Sequence, residues 1–288
     1  MLTRLALLAL CTIAATAAAA VPTTTPSADG VAIAYRVQGK GTPALVLVHC
    51  WTCDSSFWDA QVKHLALEHQ VVTLDLAGHG RSGAGRAQWT IPAFADDVVA
   101  VVTKLGLKQV VLVGHSMGGP VVVEAARKMP ERVAGLIPVD TLLDVDQVMG
   151  TAEVDAATAE MQADFKGATG RFIRQYMFVP TSPAALVEDV VARTAAFDPK
   201  IALGALHSTW TYDPRPALSQ IKVPIVAVNA DKFPTRLDHA RQYAPQYDAL
   251  IVRGVGHYLM REDPAAFNAQ LARAVARVTG TAQPLAPR

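Results

Sequence analysis

The chain has 288 residues, 51% of them apolar and 18% charged, with a formal net charge of +1. That apolar content excludes a disordered chain, and near-neutrality without a Lys/Arg cluster gives nucleic acid no phosphate-binding surface. Its 3 cysteines are too few for a disulfide scaffold, while the length suits one large α/β domain or two small ones.

Residues 1–20, MLTRLALLALCTIAATAAAA, place an early Arg4 before an apolar run from Leu5 and a tail of small residues. This is the layout of a cleaved secretory signal peptide, with Ala18–Ala20 as an A-x-A site before Val21. The Ala-rich run is weakly hydrophobic and no stop-transfer charges follow, which argues against a membrane anchor. The expected mature protein is neutral, secreted or periplasmic, free of the membrane, and left with Cys50 and Cys53. Residues 21–29, VPTTTPSAD, read as a linker.

Short apolar runs then alternate with helical patterns. Val31–Val37, Ala44–His49, Val71–Leu76, Val110–Val113, Val133–Val139, Ile225–Val228 and Ala249–Val252 are predicted strands, several of them continuously apolar, as strands covered on both faces are. Ile91–Leu105 carries an apolar stripe behind Thr90 as N-cap, and Pro264–Val278 is a second amphipathic helix. The alternation predicts a mostly parallel sheet, with a core of residues 30–140 and 216–288. Residues 141–215 read as helical without strand signal, an inserted cap over one end of the sheet.

Three places carry chemistry. His49-Cys50-Trp51 follows a strand, so the Trp51 backbone N–H, with that of Met117, is placed to hold a carbonyl oxygen that turns negative under attack. Cys50 and Cys53 form a CxxC that an oxidising compartment allows to close as a small disulfide; a thioredoxin-like redox role lacks its surrounding pattern. Val110–Gly119, VVLVGHSMGG, runs an apolar strand into G-x-S-x-G, where small residues on either side of Ser116 let the backbone turn tightly and expose the hydroxyl. A serine needs a base, and His257, in a loop after a strand and before the final helix, is the best placed histidine. His79 sits in a Gly78–Gly85 turn expected to be flexible, and His115 is expected to point away from its neighbour Ser116. Trp51, Trp58, Tyr176 and Trp210 are candidate pocket residues.

Together, the strand-HxW, DLAGHGRS (Asp75–Ser82), GHSMGG and GVGH…EDP…FN motifs resemble the α/β-hydrolase superfamily in serine-esterase form, over about residues 30–288 apart from the cap. The resemblance implies an eight-stranded sheet and a Ser-acid-His triad that needs no metal or cofactor. Two departures stand out. Cys50 replaces the glycine usual after the oxyanion-loop histidine. The acid's usual position, counted from Pro224, falls on Phe233, which leaves Asp231 with a shortened loop or Asp140 in the register of a smaller group of relatives. The expected function is an exported serine hydrolase of small to medium carboxylic esters, with a small-molecule ester as partner. Lactonase, amidase or cofactor-free perhydrolase chemistry shares the triad, and a ligand-binding module with a vestigial triad is the non-enzymatic alternative. Oligomeric state has no signature in the sequence.

Overall fold

A computed structural model describes residues 22–281; the segment read as a signal peptide lies outside the described residues. Within them, β1 (Thr23–Pro26), β2 (Ala32–Gln38), β3 (Ala44–Val48), β4 (Val71–Leu74), β5 (Val110–His115), β6 (Val133–Val139), β7 (Ile225–Ala230) and β8 (Tyr247–Val252) form one sheet in the order β1-β2-β4-β3-β5-β6-β7-β8. β1 and β2 are antiparallel to their neighbours and the remaining pairs are parallel.

The continuous apolar runs are explained by two cores. In β3, Ala44, Val46 and Val48 enter one and Leu45 and Leu47 the other; in β5, Val110 and Leu112 are opposed to Val111 and Val113. Side chains alternate across a strand, so a strand covered on both faces must be apolar at every position. α1 (Asp59–Leu65) and α11 (Pro264–Val278) cover one face, while α2 (Ile91–Lys104), α3 (Gly118–Lys128) and α9 (Leu237–Tyr243) cover the other. Thr90 caps α2 by accepting the Ala93 N–H, and Asp263 caps α11 through Ala266. Each such cap contributes about 1 kcal/mol.

The linker expected at 21–29 is corrected. Thr23–Pro26 pairs antiparallel with β2 as an edge strand. Its β-branched threonines favour the extended ladder, and Pro26 at the strand end is tolerated at a sheet edge. Just beyond it, Ser27 Oγ donates to Asp97 Oδ1 at 2.6 Å, and the Arg86 guanidinium bridges Asp29 and the buried Asp97.

Between β6 and β7 the chain is helical: α4 (Thr151–Ala163), α5 (Phe165–Phe172), a π-helical turn (Ile173–Met177), α6 (Ala184–Ala195), α7 (Pro199–Thr211) and α8 (Arg215–Leu218). α10 (Leu259–Glu262) is a single turn before α11.

The turn around His79, expected to be flexible over Gly78–Gly85, is hydrogen-bonded and packed. Asp75 accepts the Ser55 and Arg81 amides at 2.8 and 3.0 Å, and Ser82 Oγ accepts the Ala34 amide. His79 is buried, its ring 5.0 Å from that of His49 and 4.8 Å from that of Phe197. Gly80 has φ +50°, and a Cβ there would lie 2.5 Å from the Asp75 carboxylate.

Candidate active site

Ser116 is the hinge between β5 and α3. Its φ of +53° lies in the left-handed region, a strain of about 1–3 kcal/mol that only surrounding structure can hold. Its N–H donates to Val139 O at 3.0 Å, and its carbonyl accepts the Gly119 N–H at 2.8 Å. The neighbouring glycines are required by space. A Cβ on Gly114 would stand 2.1 Å from Gly118 O, one on Gly118 2.7 Å from Val48 O, and one on Gly119 2.1 Å from Thr141 Cγ2.

His257, in the loop after β8, is held by three groups. Its N–H donates to Met177 O at 2.7 Å, its carbonyl accepts His115 Nε2–H at 2.8 Å, and its Nδ1 meets Asp140 Oδ2 at 2.6 Å. A carboxylate only accepts, so Nδ1 carries the proton and a neutral ring leaves Nε2 as a free base. Asp140 stands one residue past β6 at φ +43°, with its other oxygen on the Ala230 amide at 2.9 Å. Asp231 does not reach the ring; it accepts the Gly254 amide at 2.9 Å and supports the loop from outside.

Two further buried histidines are neutral scaffolding. Burial depresses His115 well below the usual imidazole range, so it donates one N–H to the His257 carbonyl rather than carrying charge. Burial likewise lowers His49, against the pull of Asp75. Its Nε2 accepts the Leu76 amide at 2.9 Å, which leaves Nδ1–H for Cys50 O at 2.8 Å.

Trp51 and Met117 line the same cleft as Ser116 and His257. Among the described residues, neither backbone N–H donates to a protein acceptor. The loop carrying Trp51 is tied on several sides. Cys50 and Cys53 are joined by a disulfide with Cα atoms 5.3 Å apart, enclosing Thr52 at φ +54°. Trp51 Nε1 donates to Ala202 O of α7 at 2.7 Å, and the Thr52 hydroxyl lies 2.9 Å from that of Thr194 in α6.

The cleft measures about 450 Å³ including its mouth. Trp51, Phe172, Ile173, Met177, Leu206 and Trp210 form apolar walls, completed by Cys50, Thr209 and Tyr258. Two expectations are corrected. Trp58, the last residue of a 3₁₀ turn (Ser55–Trp58) just before α1, is fully buried, because its ring packs inward 6.2 Å from Phe267 of α11 and 6.3 Å from His115 of β5. Tyr176 is 46% exposed and packs on Phe172 from the outer side of the π-helical turn. Sequence reasoning missed Leu206 and Thr209, although with Trp210 their i, i+3, i+4 spacing on α7 marks one face, and it missed Tyr258 beside His257.

Among the described residues, Asp144, Asp146 and His239 are the group with metal-ligand spacing. His239 Nδ1 already lies 2.7 Å from Asp144, its Nε2 is 2.8 Å from the Arg236 guanidinium, and Arg215 stands 3.7 Å from Asp146. These cations oppose a metal ion, and the cluster is an ion-pair network.

Residues 45–270 match the alpha/beta hydrolase family model, and the chain belongs to that family. Over 104 residues it is 36% identical to an uncharacterized protein of Mycobacterium tuberculosis; the match takes in 36% of this chain and spans 30% of that relative's length. Its fold is that of a thermophilic esterase from Thermogutta terrifontis, with TM-score 0.78 and 22% identity, covering 90% of this chain and 100% of that one. Est816, described as an N-acyl homoserine lactone degrading enzyme, superposes with TM-score 0.75 and 25% identity over 87% of this chain and 99% of its own.

Proposed function

We propose that the protein is an exported serine hydrolase that cleaves small to medium, uncharged carboxylic esters through an acyl-enzyme. Ser116 Oγ attacks the carbonyl carbon while His257 Nε2 takes its proton, and Asp140 orients the ring and stabilises the imidazolium. The Trp51 and Met117 amides receive the oxyanion. The imidazolium then protonates the departing alcohol, and a water deprotonated by His257 releases the acid.

The observation that carries this reading is the 2.6 Å contact of His257 with Asp140 in a cleft shared with a positive-φ serine. The apolar walls favour a neutral acyl group. Export rests on the leader-like residues 1–20 and on the Cys50–Cys53 bridge, which suits an oxidising compartment. Ser116→Ala abolishes hydrolysis of short-chain nitrophenyl esters while leaving the unfolding transition in place. A fluorophosphonate labels Ser116 stoichiometrically in the parent chain, and repeated turnover separates an enzyme from a binding module with an idle triad. Activity surviving in Ser116→Ala sinks the assignment.

Lactone hydrolysis is the second reading, favoured by the likeness to Est816. Comparing kcat/KM for acyl homoserine lactones with that for linear esters of matched chain length decides between them.

A further inference from the structure

Three consecutive backbone amides around His257 are each bound. The His257 N–H goes to Met177 O at 2.7 Å, while the Gly256 and Tyr258 N–H groups go to the two oxygens of one carboxylate, Glu262, at 2.9 and 3.1 Å. The same carboxylate accepts the hydroxyl of Ser182, which lies in the cap between the π-helical turn and α6. Ser182 Oγ in turn accepts the Val179 N–H at 3.0 Å, and Lys232 Nζ donates to the Phe178 carbonyl at 2.7 Å. Gly256 makes the approach possible: a Cβ there would lie 2.6 Å from Met177 O and 3.0 Å from Glu262 Oε1.

Cap residues 177–182 and the histidine loop are therefore joined through Met177 and through Glu262, and neither Glu262 nor Ser182 lines the cleft. We propose that Glu262 is a positioning residue: by gripping both amides that flank His257 and the hydroxyl of Ser182, it sets the imidazole on Asp140 when the cap is seated. The inference rests on His257 acting as the base. Its physical basis is geometric. A charged acceptor shared by the Gly256 and Tyr258 amides fixes the peptide planes before Gly256 and after His257, while Met177 O holds the plane between them, and a misplacement of about 1 Å in a reacting group costs about 10²-fold in rate. The Ser182 hydroxyl makes that grip depend on the cap, so cap seating and ring orientation become one event.

The test compares Glu262→Gln, Ser182→Ala and Ser182→Thr with the parent chain, reading kcat and KM per fluorophosphonate-titrated site alongside thermal unfolding. Glu262→Gln puts an amide donor among three donors and lowers kcat by about 10²-fold, with KM within about twofold. Ser182→Ala removes the link to Glu262 together with the hydroxyl's hold on the Val179 N–H and lowers kcat by about tenfold, and Ser182→Thr, which keeps the hydroxyl, restores it. A purely structural Glu262 lowers the unfolding temperature and leaves kcat per titrated site unchanged. That result, with Ser116→Ala inactive, overturns the proposal; an active Ser116→Ala overturns the underlying reading instead. If Glu262→Gln does not fold, the Ser182 pair decides: kcat per site equal in Ala, Thr and parent chains overturns the proposal, and loss in Ala with recovery in Thr supports it.

Discussion

Asp140 and His257 are 117 residues apart in sequence and 2.6 Å apart at Oδ2 and Nδ1. The parallel pairing of β6 with β7, and of β7 with β8, brings the C-terminal ends of β6 and β8 to the same end of the sheet. The second Asp140 oxygen accepts the Ala230 amide, which fixes the carboxylate independently of the ring.

Asp140→Asn presents an amide to the imidazole and favours the wrong tautomer, so kcat falls by about 10⁴-fold. Asp231→Asn leaves kcat within about threefold, because its partner is the Gly254 amide on an exposed loop, a bond contributing about 1 kcal/mol to stability. Steady-state ester hydrolysis by the two variants checks this, and a larger loss in Asp231→Asn would reverse the assignment.

Removing the Cys50–Cys53 bridge loosens the Trp51 amide. In Cys50→Ser/Cys53→Ser, or after reduction by dithiothreitol, kcat drops by about tenfold. That is less than the 10²–10³-fold typical of deleting an oxyanion donor outright, because Trp51 Nε1 still holds Ala202. A ring this short contributes about 2 kcal/mol of stability. Equal rates before and after reduction would contradict the role given to the bridge.

Stability falls as pH drops below about 6.5. His49, His79 and His115 are buried and depressed by burial, His79 to about 3. Lowered folded-state values mean the unfolded chain binds protons first, so the stability is present above about 6.5 and lost on acidification. Once the unfolded histidines are charged, three such groups give a slope of up to about 4 kcal/mol per pH unit. Urea unfolding midpoints between pH 7.5 and 5 measure it; a flat profile would mean that these histidines are charged in the fold.

Arg86→Met leaves Asp97, which is completely buried and pushed up by that burial, without its guanidinium partner. The expected loss is about 3–5 kcal/mol, with kcat of the folded protein unchanged because the pair lies outside the cleft. Arg86→Met/Asp97→Leu recovers much of it, since the uncompensated charge is gone. Chemical denaturation of the single and double variants tests both steps.

The strand runs, the helical stretch between β6 and β7 and the turn around Ser116 were legible because each rests on local chemistry: apolar continuity, missing strand signal, glycines beside a serine. β1 was not, because its prolines suggested a break while its pairing partner lay elsewhere in the chain. Trp58 and Tyr176 were misplaced because aromatic character does not say which way a helix turns its faces, and Trp58 faces the sheet while Tyr176 faces solvent. Glu262 was visible only as part of the EDP motif, and its grip on the Gly256 and Tyr258 amides needs the folded loop.

By itself the sequence determined the α/β alternation and the tight turn at Ser116, since these follow from residue type and short spacing, and it singled out His257 as the candidate base. The tertiary structure set Asp140 rather than Asp231 against His257, closed Cys50 onto Cys53, and joined the cap to the histidine loop. The first and last depend on which strand ends and loops meet, and a distance of a few ångströms across the end of a sheet leaves no mark on residues 80 or 117 positions apart; the disulfide depends on the turn at Thr52, between its two cysteines.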